Sequence, residues 1–205
     1  MNPIDPHIRS AAPSDWEAVW APYDEATYSA ALDFLEPDDV VLDLGAGDLR
    51  FARRAASRVR RVIAVERNRP VLEAGLDGLP GNLSAVCADA LAWPFPAGIT
   101  AGVLLMRHCR HFADYAARLR AAGCRRLVTN ARWGMGVECV ALDPQMPYWA
   151  APPGWYACSC GAVGFKDAPP EEITAGMLAT SHSVEDCPAC LAGRMASSLQ
   201  PWSRR

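Results

Sequence analysis

The 205-residue sequence is nearly devoid of lysine, because Lys166 is the only lysine among its 20 basic residues. It contains no apolar run of the roughly 18 residues that a membrane-spanning helix needs. Its first residues, MNPIDPHIRS, lack the basic and then apolar segments of a signal peptide. A strong charge of either sign is also missing, since the formal net charge is −3. These absences argue against a membrane or secreted protein, and we expect a cytoplasmic location.

The composition is that of an ordinary globular protein, with 51% hydrophobic and 21% charged residues. A chain of this length can bury one full core and has room for a small appendage besides. We therefore expect one main domain and no disorder.

Short apolar runs alternate with helical patterns through the middle of the chain. The expected strands cover residues 40–44, 62–65, 83–87, 99–106 and 126–129, and the expected helices cover residues 48–59, 69–79 and 111–122. Such alternation predicts an α/β fold with a doubly wound, mostly parallel sheet. We divide the chain into an N-terminal helical segment (1–36), a Rossmann-like core (37–143) and a C-terminal segment (144–205).

A glycine turn follows the first expected strand. Gly45, Ala46 and Gly47 separate this strand from a helix, which is the arrangement that exposes backbone N–H groups to a bound nucleotide. A nicotinamide dinucleotide site would have a glycine or alanine where this chain has Arg50. The dinucleotide interpretation is therefore weakened, although it is not excluded.

The segment VLDLGAGDLRFARRAA resembles the first motif of class I S-adenosylmethionine-dependent methyltransferases. The resemblance covers residues 20–135 and implies a Rossmann-like cofactor site in which Asp43 is the acidic residue before the glycines, Glu66 accepts the ribose hydroxyls and Asp89 contacts adenine. Many members of the family have glycine where this chain has Leu49, and a side chain there would crowd the methionine end of the cofactor. The cofactor-binding residues implied by the resemblance are Tyr23, Thr27, Asp43, Gly45, Ala46, Gly47, Glu66, Arg67, Asp89, Ala90 and Met106.

The residues after the fourth expected strand would line the acceptor side of this fold. His108 and His111 are candidate general bases there, and their spacing of three would place them on one helix face. A histidine in the first turn of a helix is more often a simple polar contact, and this alternative applies to both residues. Cys109 lacks the preceding proline of cytosine-C5 methyltransferases, and the Asn/Asp-Pro-Pro-aromatic tetrapeptide of exocyclic amine methyltransferases is absent.

Four of the eight cysteines form two close pairs near the C-terminus. Cys158, Cys160, Cys187 and Cys190 resemble the ligands of a zinc ribbon, so we expect a closed, non-catalytic Zn²⁺ site that staples the C-terminal segment. A redox disulfide between Cys187 and Cys190, an iron–sulfur cluster, or His182 replacing one cysteine are alternatives. The other cysteines, Cys87, Cys109, Cys124 and Cys139, are expected to be small buried hydrophobic residues.

These features predict a methyltransferase whose acceptor the sequence does not identify. The mild net charge and the tryptophan- and proline-rich residues 146–156 favour a small molecule or peptide, whereas eight arginines in residues 50–69 and a zinc ribbon favour RNA. A non-catalytic methyltransferase-like scaffold that binds nucleic acid or protein is the competing hypothesis. The oligomeric state is not readable from the sequence.

Overall fold

The computed structural model describes residues 23–133 and 136–198. These residues fall into two units. The first comprises the chain up to Cys109 together with Asp114–Leu142, and the second comprises Arg110–Ala113 together with the chain from Asp143 onward. Most of the predicted N-terminal helical segment, residues 1–22, lies outside the described residues.

The first unit is built around a six-stranded sheet in the order β3-β2-β1-β4-β5-β6. Five strands are parallel, and β6 runs antiparallel to β5. The elements are α1 (Glu25–Leu32), β1 (Val40–Leu44), α2 (Arg50–Ala56), β2 (Arg61–Glu66), α3 (Arg69–Ala74), β3 (Leu83–Cys87), β4 (Ala101–Leu104), α4 (Phe112–Ala121), β5 (Arg126–Thr129) and β6 (Glu138–Ala141). The expected α/β fold with a mostly parallel sheet is confirmed.

The main hydrophobic core lies between one face of this sheet and the first two helices. Tyr28 of α1 and Phe51 of α2 pack in the same cluster as Val41, Val62 and Val103. Because side chains alternate along a strand, the neighbouring residues of each strand face the other side of the sheet. On that side Leu119 of α4 packs so closely against Gly102 that a Cβ at this glycine would lie 2.5 Å from a Leu119 methyl carbon.

The connection between β3 and β4 departs from a fully regular doubly wound fold. Residues 88–100, all of which the structure describes, form turns and no helix. This connection therefore contributes no helix to the packing on the sheet.

The second unit contains a four-stranded sheet that the sequence analysis did not predict. The order is β7-β10-β8-β9; β8 pairs parallel with β10 and antiparallel with β9. Its small core includes Ala151, Cys158, Val184 and Cys187. The elements are β7 (Met146–Pro147), β8 (Gly154–Cys158), β9 (Val163–Lys166), α5 (Ala175–Ala179), β10 (Ser181–Glu185), α6 (Pro188–Ser198) and the 3-10 turns Tyr148–Ala150 and Pro170–Glu172.

Among the described residues, no helix combines the length and the apolar character that crossing a membrane would require.

Candidate cofactor site and four-cysteine cluster

The carboxyl ends of four neighbouring parallel strands bring most of the predicted cofactor residues to one edge of the first unit's sheet. The glycine turn follows β1, Glu66 ends β2, Asp89 follows β3 and Met106 follows β4. The chain order reverses between β1 and β4, and this switch point is where open α/β sheets bind ligands.

The backbone of the glycine turn is left-handed at both glycines. Gly45 and Gly47 have φ values of 71° and 56°, in the left-handed region that favours glycine. The N–H groups of Gly45 and Ala46 donate to the carbonyl of Val65, at 2.9 and 3.1 Å. A Cβ at Gly45 would lie 3.0 Å from the Met106 sulfur. The turn is thus tied to β2 and lies directly against Met106.

Glu66 is a buried carboxylate that organises the turn. Its Oε2 accepts a hydrogen bond from the backbone N–H of Gly47 at 3.0 Å, and its Oε1 accepts one from the N–H of Asn68 at 2.7 Å. Asn68 is buried and caps the N-terminus of α3, because its side chain accepts from Val71 N–H. Asn68 is a positioning residue that the sequence analysis missed, and the Asn-x-Pro start of α3 was the available signal.

Asp43 lies on β1 immediately before the turn and is only 3% exposed. Its Oδ2 has no hydrogen-bond partner among the described residues. Burial first, and then the negative charge of Glu66, raise the pKa of Asp43 to about 7. The site therefore contains two neighbouring buried carboxyl groups, one held by backbone N–H groups and the other with an unsatisfied oxygen.

The residues predicted to contact adenine lie in a tight turn after β3. Asp89 is exposed, and its Oδ1 accepts from the N–H of Leu91 at 2.9 Å. The next residue, Ala90, is buried, whereas Arg67 on the neighbouring strand end is exposed. Asp89 is thus both accessible to a ligand and used as a local turn cap.

Tyr23 lies beside the end of β4. Its hydroxyl accepts a hydrogen bond from the Arg107 N–H at 3.1 Å, and the Arg107 guanidinium lies 4.6 Å from its ring centroid. Thr27 is in the first turn of α1, where its N–H donates to Asp24, the N-terminal cap, at 2.8 Å. Tyr23 therefore has a contact with the edge that carries the site, and the contacts of Thr27 are those of a helix start.

Leu49 does not project freely beside the glycine turn. It is fully buried and belongs to the core cluster with Phe51 and Leu72. Its φ is 68°, a left-handed value at which a side chain is strained, and this explains why glycine suits the position. The expectation that its side chain crowds the methionine end of a cofactor is not supported, because that side chain packs into the core.

The two candidate bases do not share a helix face. α4 begins at Phe112, and His108 lies in a preceding turn with a φ of 57°. Both histidines are exposed. The prediction of a common helix face is wrong, because both histidines precede the helix.

Tyr115 of α4 is a second residue that the sequence analysis missed. It is buried, and its pKa is raised to about 12 by burial first and then by the charges of Cys109, Asp89 and Glu66. Its hydroxyl therefore lies in the electrostatic field of the predicted cofactor residues. The apolar spacing of Tyr115 and Leu119 within a polar helix was the available signal.

The four cysteines of the C-terminal pairs converge within the second unit. Their sulfur atoms all lie within 4.8 Å of one another. The Cys158–Cys190 and Cys160–Cys187 sulfur distances are both 3.7 Å, and the Cys187–Cys190 distance is 3.9 Å. Burial raises the pKa of Cys158, but hydrogen bonds from the backbone N–H groups of Cys160 and Cys187 outweigh it and lower that pKa overall.

None of the remaining four cysteines belongs to this cluster or forms a disulfide bond. Cys124 is buried as expected and Cys109 is half-buried. Cys87 and Cys139 are exposed, so the expectation of burial is wrong for these two. Cys87 lies on β3 and Cys139 on β6, which are the two edge strands of the sheet.

No known family model matches this sequence, and no curated protein matches it. Solved structures do resemble it over about half of its length. One is the precorrin-8w decarboxylase of Methanobacterium thermoautotrophicum, with 22% identity, a TM-score of 0.45, and coverage of 53% of this chain and 63% of that chain.

Two further similar structures are methyltransferases. One is an S-adenosylmethionine-dependent methyltransferase from Thiobacillus denitrificans in complex with S-adenosyl-L-homocysteine, at 17% identity and a TM-score of 0.44, covering 53% of this chain and 48% of that chain. The other is the 23S rRNA methyltransferase ErmE, at 25% identity and a TM-score of 0.43, covering 52% of this chain and 46% of that chain. The present chain therefore spans less than two thirds of each of these proteins. S-adenosylmethionine-dependent methyltransferases are among the structures that it resembles.

Proposed function

We propose that the first unit binds S-adenosylmethionine and that the protein transfers the cofactor's methyl group to an acceptor. The observation that carries this proposal is the Asp43 carboxyl group, which is buried beside a glycine turn with one oxygen unpartnered among the described residues. A buried, unsatisfied carboxylate oxygen is costly in free energy. A cationic ligand with hydrogen-bond donors would offset that cost, and S-adenosylmethionine carries a sulfonium and an ammonium group.

The donor and acceptor pattern of the site fits this cofactor. Ribose hydroxyls need a fixed acceptor, and each Glu66 oxygen accepts one backbone N–H and keeps capacity for another donor. Gly45 and Gly47 have left-handed φ values at which a side chain is strained, so this turn suits glycine and can bring its backbone close to a ligand. Asp89 is exposed and offers a second carboxylate for the adenine amino group.

The cofactor supplies an activated methyl group, and the chain's own residues have to align it and exclude competing water. Glu66 would hold the ribose, and the Gly45–Gly47 turn would face the methionine end. His108, exposed after β4, is the proposed general base for an acceptor that must lose a proton, and His111 is the second candidate. Tyr23 would help to fix the β4 end through its bond with the Arg107 N–H.

A nicotinamide dinucleotide is the less favoured ligand for the same turn. Arg50 occupies the position where a dinucleotide-binding motif has glycine or alanine. Its side chain forms an ion pair with Asp48 at the start of α2. A bulky, paired side chain there is unfavourable for the close backbone approach that a pyrophosphate requires.

Calorimetric titration of the full chain with S-adenosylhomocysteine tests the proposal. Glu66→Gln should weaken binding by roughly 1 to 3 kcal/mol, because it removes a charged hydrogen-bond acceptor. Glu73→Gln is the matched control, since Glu73 is an exposed residue of α3, and it should bind like the wild type. A protein that ignores S-adenosylhomocysteine and binds NAD would overturn the proposal.

We also propose that Cys158, Cys160, Cys187 and Cys190 bind one Zn²⁺ ion. A tetrahedral ion with Zn–S bonds of about 2.3 Å requires sulfur atoms about 3.8 Å apart, and three of the sulfur pairs lie 3.7 to 3.9 Å apart. A disulfide requires about 2.05 Å, so the distances favour a single metal ion over a redox disulfide. His182 is unnecessary, because four cysteines already complete the ligand set.

The acceptor proposed for this enzyme is a small molecule or peptide, with RNA as the alternative. The arginines that suggested RNA are largely engaged within the protein. Arg53 donates to the carbonyl groups of Gly75, Asp77 and Gly78, while Arg54 and Arg58 form ion pairs with Glu25 and Asp33. This use of the arginines supports the small-acceptor interpretation.

A further inference from the structure

A groove lies on the sheet face of the first unit that the helices α1 and α2 do not cover. Val62 and Ala64 of β2 pack into the main core, so Arg61 and Ile63 face the opposite side. On β3, the exposed Ser84 and the half-buried Val86 face that side as well. The groove exists because residues 88–100 form no helix that would cover these side chains.

The groove consists of two adjoining cavities of about 380 and 410 Å³. Both are lined by Arg60, Arg61 and Ser84. The second cavity is also lined by Ile63, Val86 and Trp93. It therefore combines an apolar wall with two arginines that are consecutive in the chain.

Arg60 and Arg61 differ from most other members of the arginine-rich stretch. Arg50, Arg53, Arg54, Arg58 and Arg69 each pair with a carboxylate or a carbonyl group. Arg60 and Arg61 are exposed, and within residues 23–133 and 136–198 their guanidinium groups have no hydrogen bond or ion pair. Two uncompensated positive charges at the mouth of a cavity favour an anionic ligand.

We propose that this groove binds a small organic anion. Its phosphate or carboxylate group would lie between Arg60 and Arg61, with Ser84 as a further hydrogen-bond donor. Its apolar, preferably aromatic, body would lie against Ile63, Val86 and Trp93. Arginine is well suited to such a group, because its planar guanidinium can bond two oxygens of a phosphate or carboxylate at once.

The arginine end of this groove is distant from the proposed cofactor site, although Trp93 at its other end donates a backbone hydrogen bond to the Asp89 carbonyl at 2.8 Å. Arg61 is the first residue of β2, and Glu66, the last residue of the same strand, belongs to the cofactor site. At about 3.3 Å per residue, the two ends of the strand are roughly 16 Å apart. The groove therefore makes a prediction that does not depend on methyl transfer.

Calorimetric titration of the full chain with 1-naphthyl phosphate tests the inference. We expect saturable binding, and binding at least tenfold weaker for inorganic phosphate, which lacks the apolar body, and for 1-naphthol, which lacks the anion. The double variant Arg60→Gln/Arg61→Gln should weaken 1-naphthyl phosphate binding at least tenfold. Arg69→Gln, which alters another exposed arginine, should leave it unchanged.

Three results would overturn the inference. The first is equal affinity in the wild type and the double variant, provided that both have the same circular dichroism spectrum. The second is binding of inorganic phosphate as tight as that of 1-naphthyl phosphate. The third is loss of 1-naphthyl phosphate binding in saturating S-adenosylhomocysteine, which would put the ligand in the cofactor site.

Discussion

Two buried aspartates near β1 differ in how well their carboxyl groups are hydrogen-bonded. Asp39, just before β1, accepts two hydrogen bonds from Arg126 at 2.7 and 2.8 Å and one from the Thr100 hydroxyl at 2.6 Å. Asp43, near the end of β1, has an unpartnered oxygen among the described residues and a negative neighbour, Glu66. The first carboxylate stabilises the fold, whereas the second costs stability, and the proposed cofactor site would account for that cost.

This contrast predicts a stabilising substitution. The pKa of Asp43 is about 7 when folded, against 3.8 for an ordinary aspartate, so the folded state holds a proton that the unfolded state has lost between these values. The contribution of Asp43 to stability should fall as pH rises from about 4 to about 7 and should stay reduced above that range. Asp43→Asn should therefore raise the free energy of unfolding at pH 8 by on the order of 4 kcal/mol, and change it little at pH 4.

Urea unfolding at the two pH values measures this difference. Asp39→Asn is the control and should lower the free energy of unfolding at pH 8, because it breaks the ion pair with Arg126. If Asp43→Asn destabilises the protein at pH 8 as Asp39→Asn does, Asp43 has a structural partner and the binding role assigned to it fails.

At the level of elements, the sequence predicts the parallel sheet well, because its strands are nearly continuous apolar runs such as residues 40–44. It does not predict the second sheet. Strands such as SHSVE (β10) are polar, and they are stabilised by long-range pairs such as Ser181 with Trp155. The turn at His108 also cannot be predicted from the local sequence. It follows an apolar run that suggests a longer strand, and histidine does not usually adopt a positive φ.

The cysteine pairs are the part of the second unit that spacing alone predicts. Cys158 ends β8, and Cys187 and Cys190 flank the start of α6, so one metal ion would join the hairpin of β8 and β9 to that helix. We expect about one equivalent of zinc in the purified protein. Cys187→Ser should release the metal and expose the chain beyond residue 143 to protease. The small hydrophobic core of the second unit is not expected to keep this unit folded without the metal ion.

Cys87→Ser and Cys139→Ser are the matched controls for this prediction, since neither sulfur belongs to the cluster. Both variants should retain the full zinc content, which atomic absorption measures. Loss of metal from a control, or a purified protein that contains a Cys187–Cys190 disulfide and no metal, would rule out the zinc site. If the protein contains iron instead of zinc, the four cysteines are the metal ligands but the assignment of zinc is wrong.

At the scale of the whole molecule, two features of the chain bear on one proposed activity. The first unit carries Asp43, Glu66 and the glycine turn, which form the proposed cofactor site, and the second unit carries the four-cysteine cluster. Nearly all the positive charge is arginine, and much of it serves internal ion pairs and carbonyl contacts. The identity of the acceptor is the property that neither the sequence nor the fold encodes in a local pattern.

Methyl transfer itself is the central claim, and it is tested most directly by incubating the full chain with methyl-labelled S-adenosylmethionine and, separately, RNA, a protein extract or a metabolite pool. We predict that label enters one of these fractions and that Glu66→Gln abolishes most of the transfer. His108→Ala should slow transfer while leaving the affinity for S-adenosylhomocysteine unchanged, because a general base acts on the acceptor. A protein that binds S-adenosylhomocysteine yet labels none of the three fractions would contradict the account and favour a non-catalytic scaffold.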